Sequence, residues 1–398
     1  MNAVRVTALV AVVVALSATA AVALRGPTRS ASSPQWDVAA ERKQHDADIV
    51  WYQARALRDP TGAMDHLKLA ALYLQRARER GTPADLVLAE REARISLANR
   101  RQHNSEAFHA LAIALVGQHR FLEAAAATDS LLSADPTAAG ARSLRGEIDL
   151  ELGNYLQADS IFAPLDRAGA DPAVAARVAR WASLRGRSAH ARTLLEQARD
   201  EARRRAGTPA EQIAWFDLRL GELALTVGAY DAATHSLDAA ARVVADDPRI
   251  LLAQARLALA MHDPVRALER AEAAMNAGED PLAFALASQA HSQLGDHAAA
   301  DRMMLAFETT IAAAPPTVWH RQWRLALLDA NHQVPTVLAQ AEAELTTRRD
   351  VYGWDLYAWA LHRSGRDAEA RVAMREALRW GTEDIALRAH ATALGVTP

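Results

Sequence analysis

A chain of 398 residues that is 51% hydrophobic, 23% charged and 5% aromatic holds ample material for a folded core and does not read as a disordered tail. Its formal net charge of -3 supplies no overall basic field, which argues against nucleic acid as a partner. Without a single cysteine, disulfides, thiolate metal sites, thiol nucleophiles and cysteine-linked lipids are excluded.

In chain order, the first expected element is a leader over residues 1–24. It carries one early positive charge, Arg5, and then an uncharged run rich in Ala and Val over positions 6–24. Ala18-Thr19-Ala20 and Ala21-Val22-Ala23 fit the small-x-small pattern before a signal-peptidase cut, so the segment is expected to direct export. The run is also about long enough to span a bilayer as an uncleaved anchor. Against anchoring stand the weak insertion tendency of alanine and the positive charges of Arg25 and Arg29 just beyond it. Both readings place the body outside the cytoplasm, in a periplasm or cell envelope, with membrane contact only if the leader is retained. Residues 25–44, which include Pro27 and Pro34, read as a tether.

A leading helix is expected over 45–62, through Ile49, Tyr52, Ala56 and Leu57, and Asp59-Pro60 should end it because a residue before proline is pushed out of helical geometry. The next helix carries Leu67, Ala70, Ala71 and Tyr73. From about position 105 to 382 a pattern of small residues and turns recurs roughly every 34 residues, the sequence form of a helical solenoid. One unit, LAIALVGQHRFLEAAAATDSLLSADP, places Ala112, Leu115, Phe121, Ala124, Leu131 and Pro136; another, GEIDLELGNYLQADSIFAPLDRAGADP, places Gly146, Gly153, Tyr155, Ala158, Phe162 and Pro172 in nearly the same frame. Later units repeat the frame through Gly186 and Ala191, Gly228 and Ala233, and Gly365 and Ala370. His119 and His262 stand where other units place a turn glycine, and His332 and Gln333 do so in an irregular unit. Gly81-Thr82-Pro83 and Gly207-Thr208-Pro209 mark helix starts, the second with Thr208 and Glu211 spaced as a capping box. A capping helix over 383–398 should close the array.

The units resemble the tetratricopeptide repeat family, bacterial exported type, over residues 63–382, and the unit beginning VYGWDLYAWALHRSGRDAEA is the clearest. The resemblance implies an all-α fold, a right-handed superhelical solenoid of helix-turn-helix (tetratricopeptide-like) repeats. It also implies a concave groove formed chiefly by the first helix of each unit. Counted from the packing alanines, that groove should receive His109, Glu147, Arg177, Arg180, Glu222, Arg256, Gln289, Tyr352, Asp355 and Trp359. Members that clamp a peptide carboxylate use alternating Lys and Asn; here the equivalent places hold Arg, Glu, Gln and apolar residues.

No catalytic signature is present: no HExxH, no glycine-rich phosphate loop, no GxSxG elbow. The 14 histidines do not fall in metal-binding helical spacing, so no metal or cofactor is expected. His45-Asp46-Ala47-Asp48 and the pair Glu342 and Glu344 read as solvated helix faces. The expected function is therefore a non-catalytic scaffold or adaptor that binds a partner protein, peptide or helix in its groove. The alternatives are a membrane-anchored sensor or regulatory subunit of an envelope complex, and an enzyme with a site scattered over groove residues.

Overall fold

A computed structural model describes residues 37–168, 171–313 and 319–397; the leader and most of the tether lie outside the described residues. The described residues begin with helix α1 (Val38–Arg58) and continue as nine helix pairs. These are α2 (Ala63–Arg80) with α3 (Pro83–Asn99), α4 (Ser105–Gly117) with α5 (Phe121–Ala134), and α6 (Ala139–Leu152) with α7 (Tyr155–Ala168). There follow α8 (Pro172–Leu184) with α9 (Ser188–Arg204), α10 (Ala210–Thr226) with α11 (Tyr230–Val243), and α12 (Pro248–Ala260) with α13 (Pro264–Ala277). The last pairs are α14 (Leu282–Gln293) with α15 (His297–Ala312), α16 (Arg321–Asp329) with α17 (Val334–Glu344), and α18 (Val351–Arg363) with α19 (Asp367–Leu378), after which α20 (Ile385–Ala393) covers the end. The fold is an all-α solenoid of tetratricopeptide-like pairs. No described helix is long and apolar enough to cross a membrane.

The pairing follows from residue size. Gly146 in α6 is small because Phe162 of α7 occupies the place its side chain would take: a β-carbon there would lie 2.7 Å from the ring. Gly221 meets Leu237 in the same way at 2.6 Å. Ala158 and Ala233, at matching points of their second helices, are fully buried. Large residues on one helix fill the space left by small residues on the other, which keeps two axes close without a void.

Each pair turns through one residue in the left-handed region: Gly81, His119, Gly153, Gly186, Gly228, His262, Gly295, Asn331 and Gly365, with φ between 57° and 82°. In the irregular unit Asn331 takes that conformation at φ 62°, and Gln333 adds a second positive φ of 48° just before α17. Six helix starts are capped by an aspartate, with Asp171, Asp247, Asp263, Asp296, Asp350 and Asp384 accepting backbone N–H bonds. The start of α10 departs from its expected capping box. Thr208 Oγ1 donates backward to the Ala202 carbonyl at 2.8 Å, Glu211 pairs with Arg249 at 2.9 Å, and the free Ala210 N–H is taken by Glu41 of α1 at 3.1 Å. A cap supplied from 169 positions away in sequence replaces the local one.

That contact belongs to the main departure from an open array. The solenoid completes a superhelical turn and packs the second turn against the first. Arg42 pairs with Asp246 at 2.6 Å; the Arg349 N–H donates to the Leu152 carbonyl at 3.2 Å; the Val351 N–H donates to Tyr155 Oη at 2.8 Å; and the Ser188 N–H donates to Glu383 at 3.3 Å. All four join residues about 195 to 204 positions apart. The helix-to-helix turns of early pairs thus seat on the loops between late pairs. Gly153 is essential to that seat, since a β-carbon on it would lie 2.5 Å from the Arg349 carbonyl group.

Candidate functional site

Most second helices pack both on their own first helix and on the first helix of the next pair, and several first helices also touch along the array, as α2 with α4, α6 with α8 and α10 with α12. The first helices α4, α6, α8, α10, α12, α14, α16 and α18 carry the residues that the sequence assigns to a groove, termed the inner face.

Its middle is a continuous ionic network. Arg177 Nε donates to Glu147 at 2.8 Å, and Arg180 lies 3.6 Å from Glu147 and also donates to Glu151. Across the turn-to-turn contact, Arg348 reaches Glu151 at 2.6 Å and Glu344 at 2.7 Å. Arg321 grips Asp350 through two bonds of 2.6 Å, and Arg321 and Arg324 both close on Glu344, at 2.8 and 2.6 Å. The Arg348 guanidinium also stands 4.4 Å from the centre of the Phe121 ring. Burial alone would raise the Glu151 carboxyl, but Arg180, Arg348 and Arg321 hold it down at about 2. Glu344 behaves likewise: burial raises it, and Arg321, Arg324 and Arg348 outweigh burial and keep it ionised. The expectation that Glu344 lies on a solvated face is thus corrected; its side chain is 13% exposed and bridges three arginines.

Near the C-terminal end the inner face becomes aromatic and acidic. Trp359 Nε1 donates to Asp329 at 2.9 Å, and its ring stacks on His390 of α20 at 4.2 Å, tilted by 14°. His390 in turn bonds Asp355 at 2.8 Å. Burial works against the charged imidazole, but the bond and charge of Asp355 prevail and raise His390 above its ordinary value. Burial raises the Asp329 and Asp384 carboxyls, and burial likewise raises the Tyr352 hydroxyl, which bonds Asp384.

The ten residues singled out in the sequence have different fates. Glu147, Arg177 and Arg180 join one network, with His109 close enough that burial and the Arg177 charge lower its imidazole. Tyr352, Asp355 and Trp359 gather at the other end under α20. Glu222 pairs within its own helix with Arg219 at 2.6 Å. Arg256 and Gln289, on the first helices of neighbouring pairs, are half-buried and have no hydrogen-bond or ion-pair partner among the described residues. Sequence reasoning missed Glu151, Arg321, Arg324, Arg348 and Asp350: Arg348 meets Glu151 across 197 positions, and Arg321 and Arg324 reach Asp350 and Glu344 from the preceding helix, contacts that the repeat frame does not display. His45 and Asp46 are not free ligands: they tie α1 to Glu79, Arg76 and Arg80 of α2. No group of three or more metal-ligating side chains occurs among the described residues.

The sequence matches no known protein family and no curated protein. Solved structures do resemble it. Human IFIT1, as a dimer with PPP-AAAA, is 14% identical and covers 80% of this chain and 72% of its own, with a TM-score of 0.55. PilW, described as a widely conserved type IV pilus biogenesis factor, is 17% identical and covers 57% of this chain and 99% of its own, with a TM-score of 0.44. The IFIT1 likeness shows the helical-repeat fold; at this identity it shows nothing finer.

Proposed function

We propose that this chain is a non-catalytic interaction scaffold, working outside the cytoplasm, whose inner face takes an extended segment or a helix of a partner protein. One observation carries the reading. The arginines of the central network are already matched by this chain's own carboxylates, whereas Arg256 on α12 and Gln289 on α14, the first helices of neighbouring pairs that touch, have donors that nothing in the described residues uses. Half-buried donors on an inner helical surface suit the carbonyls and carboxylates of a docked polypeptide. Export is supported by the uncharged run and small-x-small triplets of the leader.

A phosphate-rich ligand such as the one named for IFIT1 is disfavoured here. The five arginines Arg177, Arg180, Arg321, Arg324 and Arg348 face the four carboxylates of Glu147, Glu151, Glu344 and Asp350, so the inner face offers little net positive charge. The test is a photo-reactive side chain placed at Gln289 or, as an outer control, at Arg242. In the native cell the Gln289 position should yield a defined adduct, which Arg256→Glu removes without moving the unfolding midpoint, and Arg242 should not. The same adducts from both positions, or none from Gln289, would contradict use of the inner face.

A further inference from the structure

We propose that the outward face of α1 is a docking surface for an anionic lipid bilayer. Most of α1 facing the array is polar and already engaged: Glu41, Arg42, His45, Asp46, Gln53 and Arg55 bond other helices, around the buried Ile49 and Ala56. The opposite side is built differently. Lys43, Ala47, Val50, Trp51, Ala54, Leu57 and Arg58 fall within about a third of the helix circumference at 100° per residue. Val50 is 65% exposed, Trp51 52% and Leu57 82%, so large apolar groups stand in water along one stripe. Elsewhere exposed apolar side chains are mostly single, as on any soluble surface.

The charges decide the occupant. The stripe itself contains no carboxylate; a lysine stands at its start and an arginine at its end, and Arg55, paired with Asp65, stands near one edge with its guanidinium 4.6 Å from the Trp51 ring centre, while Asp46 at the other edge is matched by Arg76 and Arg80 and Asp48 accepts from Gln44. Arg100 and Arg101 add exposed positive charge near the end of α1, where Asn99 donates to the Pro60 carbonyl at 2.9 Å. An apolar stripe with a tryptophan and a cation at each end matches the boundary between acyl chains and anionic headgroups, where the ring and aliphatic groups enter and the cations stay with phosphate. A second protein copy is a poorer match, because two such stripes would bring Lys43, Arg55 and Arg58 against their own kind.

The sequence ahead of α1 points the same way. The uncharged apolar run at positions 6–24 ends about thirteen residues before Val38, a tether of at most roughly 45 Å. In a chain that keeps this run in a bilayer, the short stretch before Val38 limits how far the start of α1 can lie from lipid, and a weak surface contact is strengthened by such tethering. A stripe this short binds weakly and reversibly without it.

The absence of cysteine makes a local test direct. An environment-sensitive fluorophore is attached to the full chain at Val50→Cys or, as a control of equal 65% exposure, at Leu305→Cys on α15. Vesicles are prepared from neutral phospholipid alone or with about a third anionic phospholipid. With anionic vesicles the Val50→Cys probe should brighten several-fold and be quenched by spin-labelled lipid, and Trp51→Glu combined with Leu57→Glu should abolish the change. The Leu305→Cys probe should not respond. A Val50→Cys probe that stays in water on bound protein, that responds equally to neutral vesicles, or that brightens without lipid as protein concentration rises would overturn the proposal; the last result would assign the stripe to a second copy.

Discussion

Nine left-handed turn residues show how single positions carry this architecture, because they share a backbone requirement but differ in their surroundings. Gly365 has φ 76° and open space around it, whereas Gly153 has φ 82° and the Arg349 backbone at 2.5 Å from where a β-carbon would stand. Gly365→Ala should therefore cost only the conformational strain, on the order of 1 kcal/mol. Gly153→Ala adds a clash with backbone that cannot rotate away and should cost about 3 kcal/mol or more. Denaturant unfolding of both variants checks this, and equal losses would mean that the turn-to-turn contact is not formed. His119 fills the same turn position at φ 60°, its ring 4.7 Å from that of His320. More than a third of His119 stays open to the crevice it lines, yet burial, His320 and Arg348 together lower its imidazole to about 4, and burial lowers His320 as well. Both rings are neutral in the fold, so the unfolded chain takes up protons first. The contribution of His119 is fully present above the ordinary histidine range near 6.5 and is lost as pH falls toward 4, and that of His320 runs in the same direction. His390, raised by Asp355, runs in the opposite sense and loses its contribution as pH rises through its folded value. His119→Asn, which tolerates the left-handed turn, should flatten the fall in melting temperature between about pH 6.5 and pH 4. Parallel curves for variant and parent would contradict the assignment. Residue by residue, the sequence was most readable where the cause is local. The buried Ala158 and Ala233 follow from the repeat frame, but the capping of α10 by Glu41 does not.

Among the elements, the loop between α17 and α18 joins the two superhelical turns. Asp350 both caps α18, accepting from the Tyr352 and Gly353 N–H groups, and receives the two-pronged Arg321 bond. Asp350→Ala removes a cap, worth about 1 kcal/mol, and leaves Arg321 short of a carboxylate in a crowded setting where breaking an ion pair costs on the order of 3 kcal/mol. Asp350→Asn keeps much of the cap and loses the charge, so it should fall between Asp350→Ala and the parent in unfolding free energy. An Asp350→Ala protein as stable as the parent would show that the network adds nothing to the closure. The helices themselves were legible because proline, glycine and aspartate fix their ends and the apolar period fixes their faces. Glu344 was not, since on its own helix it occupies an ordinary surface position. Only Arg348, one turn later, and Arg321 and Arg324, from the preceding helix, make it an internal carboxylate.

For the whole molecule, a repeat period identifies the stacking of neighbours but not how tightly the stack curves. Curvature accumulates from small rotations between pairs, and a few degrees per pair separate an open superhelix from one that touches itself. The sequence therefore disclosed the solenoid and the candidate inner residues, while the closure that unites Glu151 with Arg348 required the folded chain. That closure holds the central network between turns, whereas Arg256 and Gln289 have no polar partner among the described residues. The most direct test is a distance between spin labels at Leu122→Cys and Thr347→Cys in the otherwise cysteine-free protein. Both positions line one crevice of about 280 Å³ with His119, Phe121, Leu152 and Arg348, although more than two hundred residues separate them in sequence. The closed superhelix predicts a narrow distribution below about 25 Å; a distribution centred beyond about 45 Å, as five or six pairs spaced by some 8 to 10 Å would give in an open array, would contradict it.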